Sequence, residues 1–261
     1  MKAIQMTDFG GPDVLAYRDA TDPVPGPGDV VVDVHAASVN PVDWKIRNGG
    51  HPACSKLTMP HILGVDFSGV VRTVGEGVVG FSPKDEVFGV CAQERDGAYA
   101  EAVALSASQI AFKPPSLSHV ETASIALTGL TALYALDDYA KVKAGDTVLI
   151  HAGAGGVGGF GIQYAKHVGA TVWSTASAAN HDYVCSLGAD EVIDYNSQDF
   201  TEAAPPCDVV FDTVGGDVHA RSFEILKEGG RFVYVTRPPD GFKPPEGATY
   251  LRPQVNRDGA H

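Results

Sequence analysis

The stretch His151-Ala-Gly-Ala-Gly-Gly-Val-Gly158 decides how this chain is read. It follows a short apolar run, Thr147-Val-Leu-Ile150, that reads as a buried strand, and it opens a segment over 156–168 with apolar residues at helical spacing. Gly153, Gly155 and Gly158 form a Gly-x-Gly-x-x-Gly set. Such a set alone is a weak signal; its place between a strand and a helix gives it force. The glycines permit a tight turn and bring backbone close to a pyrophosphate, whose charge then rests at a helix N-terminus.

Downstream of this loop the pattern alternates. Strands are expected over 171–175, 191–195, 208–212 and 231–235, with helices over 181–187 and 218–226 between them. Parallel strands joined by helices build a doubly wound sheet with right-handed crossovers. Upstream of about residue 120 the character changes. Strand-like runs at 30–35, 62–74, 86–90 and 99–105 are separated by the turn chemistry of Pro23-Val-Pro-Gly-Pro-Gly28 and Ser82-Pro-Lys-Asp85. This half reads as an irregular β-barrel or sandwich. The fold class is thus α/β plus β, with a β-rich domain over 1–122 and a Rossmann domain over 123–261.

The chain has 261 residues and a formal net charge of −13, from 32 acidic and 19 basic side chains. That balance argues against nucleic acid and against an anionic membrane surface as partners. No apolar run approaches the ~20 residues of a spanning helix. The N-terminus lacks the apolar stretch of a signal peptide. Cys54, Cys91, Cys185 and Cys207 are scattered, so reduced thiols and a cytoplasmic location are expected.

The second strand of the Rossmann half selects the dinucleotide. An NAD site places an acid at its end to bond the ribose 2′-hydroxyl. Here no acid occurs from Gly159 to His181, and the strand ends in Ser174-Thr-Ala-Ser177. Small hydroxyls leave room for a 2′-phosphate, so NADP(H) is expected. No Lys or Arg lies between Lys166 and Arg221, which leaves Ser177, Asn180, His181 or a backbone amide to contact that phosphate.

Five segments together resemble the medium-chain dehydrogenase/reductase superfamily: Ser38-Val-Asn-Pro-Val-Asp-Trp-Lys-Ile-Arg-Asn-Gly49, Gly64-Val-Asp-Phe-Ser-Gly69, Thr128-Gly-Leu-Thr-Ala132, the loop at 152–158, and Leu187-Gly-Ala-Asp-Glu-Val-Ile-Asp-Tyr195. Within it the chain is most similar to the zinc-independent quinone oxidoreductase branch, which holds ζ-crystallin-like and enone-reducing members. The resemblance implies a GroES-like substrate domain, a Rossmann domain, NADPH as cofactor, a small-molecule quinone or enone as acceptor, and a homodimer formed through an edge strand near 248–252. The alcohol dehydrogenase branch carries Cys-His where this chain has Asn40-Pro41, and Gly-His-Glu where it has Gly64-Val65-Asp66. Neither Asn40 nor Val65 is a zinc ligand of the usual kind, so no metal is expected. Direct hydride transfer to an electron-poor carbon needs no Lewis acid.

The expected acceptor residues lie on one segment. Asn40 would donate its amide to the substrate carbonyl; Lys45 would bind ribose hydroxyls or assist charge development; Asp43 would orient Lys45 or cap the short helix that Pro41 begins. For the cofactor, the resemblance implies that Ala154, Gly155, Gly156, Val157 and Gly158 hold the pyrophosphate and Ser177 the adenosine phosphate. Tyr195 would pack at the adenine side, Val235 and Thr236 near the nicotinamide, and Thr131 against the cofactor. An enoyl-thioester reductase and a catalytically silent NADP-binding protein are the alternatives. Family chains return with a further helix and strands after the Rossmann domain, and this sequence ends at 256–261, where that return is expected to begin.

Overall fold

The computed structural model describes residues 1–259; Ala260 and His261, at the end of the expected return segment, lie outside the described residues. Contacts divide the chain into two compact units, one of residues 1–127 with the segment from Asn256, the other Thr128–Val255. The division thus falls inside a helix rather than at 122, and the last described residues group with the first unit rather than with the Rossmann unit.

The first unit is antiparallel. Strands β1 (Lys2–Met6), β2 (Leu15–Asp19) and β4 (His61–Ile62) form a three-stranded sheet in the order β2-β1-β4. A second sheet of β3 (Asp29–Ala37), β5 (Asp66–Val74), β6 (Glu86–Val90), β7 (Ala102–Ser106) and β8 (Ile110–Phe112) runs β7-β3-β5-β6-β8. Val30, Val32, Phe67, Val71, Val87 and Leu105 fill the core of this sheet. The expected run 62–74 is broken at Gly64, whose φ of +102° and contact with the Tyr99 ring leave no room for a side chain. The short helix α1 (Pro41–Arg47) starts with proline at its first turn, as its sequence implies. Helix α2 (His119–Leu133) begins on a reciprocal cap: Ser118 Oγ accepts from Glu121 N at 3.2 Å, while the Glu121 carboxylate accepts from Ser118 N at 2.8 Å.

In the second unit six parallel strands run β11-β10-β9-β12-β13-β14. They are β9 (Thr147–Ile150), β10 (Thr171–Ala176), β11 (Glu191–Asp194), β12 (Cys207–Asp212), β13 (Leu226–Tyr234) and β14 (Thr249–Leu251). Numbered from β9, this is the 3-2-1-4-5-6 order of a Rossmann sheet, with its switch point between β9 and β12. Helix α3 (Gly156–His167) lays Gly158, Gly161, Ile162 and Ala165 on the sheet, an i, i+3, i+4, i+7 stripe. Gly161 lets it come close, since a methyl there would touch Leu136, Ile150 and Phe211 at 3.2–3.6 Å. Helices α4 (His181–Ser186), α5 (Phe200–Ala203) and α6 (Asp217–Arg221) complete the crossovers. The helix expected over 218–226 stops at Arg221, passes through a tight turn at Ser222–Ile225, and yields to β13 from Leu226.

His151, directly after β9, is buried between Thr175 Oγ1 at 3.3 Å and Ser222 Oγ at 3.0 Å, with Phe200 edge-on. Burial pushes its imidazole down to about 4, against the pull of Asp212. The unfolded chain therefore takes up a proton below about pH 6.5 that the folded site refuses, and stability falls as pH falls through that window. The expected contribution is a slope of about 1.4 kcal/mol per pH unit. His61 and His119, also depressed by burial, add to it. Denaturant unfolding between pH 4.5 and 7 should show a shallower slope in His151→Gln than in the parent chain.

Candidate functional site

The glycine loop sits where the sequence placed it. Gly153 is closed in: a Cβ would collide with Ser174 Oγ and reach 2.8 Å from Ile162 Cδ1. At Gly158 a Cβ would strike the Ala152 carbonyl, so this glycine lets α3 pack against the turn. Gly155 and Gly156 do something else. Both are exposed, and Gly155, the residue before α3, makes no side-chain cap. The amides of Gly156, Val157 and Gly158 have no intrahelical acceptor in the first turn of a helix. An anion is the natural partner for such a start, and a dinucleotide pyrophosphate fits it. Ala154 lies half-buried beside these residues, and Thr131 lies on α2, also half-buried.

Ser177 ends β10. Its Oγ accepts from Asn180 Nδ2 at 3.1 Å at the surface, which groups two of the expected phosphate contacts. His181 follows, with a buried Nε2 that has no hydrogen-bond partner among the described residues. Asp194, at the end of β11, pairs in register with Ala176, and its carboxylate is occupied by Asn196 and Ser197, which hold it below the usual range. Tyr195 is 60% exposed, open for a ring to stack on it. Val235 and Thr236 follow β13; the Thr236 hydroxyl is buried without a partner among the described residues.

In the first unit Asn40, Asp43 and Asp66 form one buried network. Asp43 Oδ2 accepts from Asn40 N at 2.7 Å and Tyr99 OH at 3.1 Å, and its Oδ1 accepts from Gly64 N at 3.3 Å. Asp43 therefore caps α1, one of its two expected roles; it makes no ion pair with Lys45. The Asn40 amide is spent internally, on Ser38 Oγ at 3.1 Å and Asp66 Oδ1 at 2.9 Å, instead of pointing free toward a substrate. Asp66 also accepts from Ser38 Oγ at 2.6 Å and Leu127 N at 3.2 Å. Burial pushes both carboxyls up, against the hydrogen bonds they accept. Lys45 is exposed, its Nζ 5.6 Å from the Trp44 ring centre. The sequence missed Asp66 and Tyr99 as members of this network, because partners 26 and 56 residues away leave no local pattern.

Zinc does not suit these residues. The Asn40 nitrogen faces a carboxylate as a donor, and Val65 is buried and apolar. Among the described residues no group of three or more His, Cys, Asp or Glu is placed to hold a metal ion.

Comparison with known proteins places these features in a lineage. Residues 26–116 match the alcohol dehydrogenase GroES-like domain and residues 156–252 the domain described as zinc-binding dehydrogenase. A quinone oxidoreductase of Coxiella burnetii is 42% identical, with a TM-score of 0.87 over 98% of this chain and 84% of that one. The chain belongs to the quinone oxidoreductase branch of the medium-chain dehydrogenase/reductases. It is also similar to the 2-methylene-furan-3-one reductase of Solanum lycopersicum, at 37% identity over 93% of this chain; it spans 64% of that relative's length. A mycobacterial protein complexed with NADPH is 32% identical, with a TM-score of 0.87 over all of this chain and 84% of that one.

Proposed function

We propose that the chain is an NADPH-dependent oxidoreductase that reduces quinones or α,β-unsaturated carbonyls without a resident metal. The observation that carries this reading is an uncapped glycine start to α3 combined with a hydroxyl, not a carboxylate, at the end of β10. When bound, NADPH supplies a hydride. The amides of Gly156 to Gly158 take the pyrophosphate, and Ser177 with Asn180 takes the 2′-phosphate. Reduction leaves negative charge on the acceptor oxygen, and Lys45, exposed and without an ion pair among the described residues, is the cation that meets it. The buried Asn40–Asp43–Asp66 network fixes the backbone of α1 under Lys45, so its contribution is orientation.

The quinone and enone relatives support this acceptor class. The same reading places the chain in the cytoplasm, in keeping with four free thiols, and pairs two copies through β14, the outermost strand of its sheet. Among the described residues no helix is long and apolar enough to cross a membrane.

The test is NADPH or NADH oxidation at 340 nm with an aromatic ortho-quinone, a short-chain enone and an enoyl-CoA. Turnover of the quinone or enone with NADPH preferred supports the proposal. Turnover of the thioester alone would make it an enoyl-thioester reductase, and NADPH binding without any turnover a silent nucleotide-binding protein.

A further inference from the structure

Strand β12 ends in a turn, 213–216, beside the glycine loop: Thr213 Oγ1 donates to the His151 carbonyl at 2.7 Å. Gly215 and Gly216 both take left-handed φ, +80° and +61°. Gly215 packs so closely that a Cβ would come 2.9 Å from Thr236 Oγ1, the buried hydroxyl that finds no partner among the described residues. The turn is held by Asp212, fully buried, whose Oδ1 accepts from both Val214 N and Gly215 N at 2.8 Å.

Asp212 is held in turn. Its Oδ2 stands 2.7 Å from His219 Nδ1, and His219 Nε2 stands 2.7 Å from the Tyr250 hydroxyl. The imidazole has no exposed surface, and Phe232, Tyr234, Phe242 and Tyr250 meet it edge-on at 4.8–5.6 Å. With Nδ1 donating to the Asp212 carboxylate, a neutral imidazole turns Nε2 to accept from the Tyr250 hydroxyl. An aromatic cage alone would be filled as well by phenylalanine; a polar relay inside it costs desolvation, which a single turn orientation offsets.

We infer that His219 is a positioning residue for the nicotinamide half of the cofactor, acting through Asp212 on the Val214 and Gly215 amides and on the Thr236 hydroxyl. The inference rests on the NADPH reading above. At the switch point the turn after β12 faces the crevice where α/β sheets take their ligands. The Val214 and Gly215 amides are spent on holding the turn to Asp212, and the Thr236 hydroxyl packed against that turn is the group left for a carboxamide.

Two ligands separate the halves of the cofactor: NADPH, and 2′,5′-ADP, which lacks the nicotinamide end. Both are titrated calorimetrically into the parent chain, His219→Phe, His219→Asn and Tyr250→Phe. His219→Phe is expected to weaken NADPH about tenfold while 2′,5′-ADP stays within about twofold. His219→Asn, which keeps an N–H donor toward Asp212, restores most of the NADPH affinity. Tyr250→Phe, which keeps the ring and loses only the far hydroxyl, weakens NADPH about threefold and serves if His219→Phe does not fold. Equal losses on both ligands, or none on NADPH in any folded variant, overturn the inference. A parent chain that binds neither ligand overturns the NADPH reading itself.

Discussion

Gly155→Asp is expected to weaken NADPH at least about a hundredfold and to leave the fold standing. Gly155 precedes α3 with φ −82° and ψ 162°, a backbone that any residue adopts. A Cβ there meets only the Ala152 carbonyl oxygen, at 3.3 Å, a slightly tight contact. Aspartate is a preferred residue at this position, and its carboxylate accepts from the same first-turn amides and favours the positive end of the helix. The tight contact and the new cap offset each other, so the change in stability stays within about 1 kcal/mol. Binding goes the other way. The carboxylate occupies the amides that the pyrophosphate needs and opposes its charge at contact distance, and affinity falls at least about a hundredfold. Calorimetric titration with NADPH and a thermal melt on the same sample separate the two effects. Equal binding in the variant and parent chains would place the pyrophosphate elsewhere.

Ser177→Asp inverts the choice of cofactor. Ser177 directly follows β10, with Asn180 Nδ2 on its hydroxyl, a partner that an aspartate keeps. The new carboxylate lies against the 2′-phosphate and weakens NADPH about a hundredfold, at ionic strength low enough for such a charge pair to be felt. Toward NADH it accepts from the ribose 2′-hydroxyl, a charge-assisted bond worth about tenfold in affinity. The expected ratio of the two affinities therefore changes by about a thousandfold. Dissociation constants for both cofactors, measured at 50 and 300 mM salt, check it, and the NADPH penalty shrinks at the higher salt.

The nucleotide side of this protein was readable from sequence because its signals are local. Glycines at 153, 155 and 158 fall between an apolar run and a helical stripe, and each strand of the sheet is a short β-branched block bounded by turns. The expectation for Ser177 came from the lack of an acid after the second strand, a signal that is also local. Other features depend on distant partners. Nothing around Asn40 says that its amide turns inward, because the acceptor, Asp66, is brought to it by the kink at Gly64. His219 reads as an ordinary helix residue, since its partners lie seven residues before it and 31 after it. The helix over 218–226 was overextended for a related reason. Its apolar spacing continues past Arg221, and only the pairing of Cys207 with Leu226 across the sheet makes the next residues a strand.

A hydride is expected to pass from NADPH to an electron-poor carbon under the guidance of this chain. The most direct measurement uses NADPH deuterated at the transferable position of nicotinamide C4, an α,β-unsaturated ketone as acceptor, and NMR of the product. One deuterium is expected on the carbon β to the carbonyl and a solvent proton on the α carbon, with Gly155→Asp yielding far less labelled product under the same conditions. Product without label at the β carbon, or consumption of NADPH with the acceptor unchanged, would contradict it.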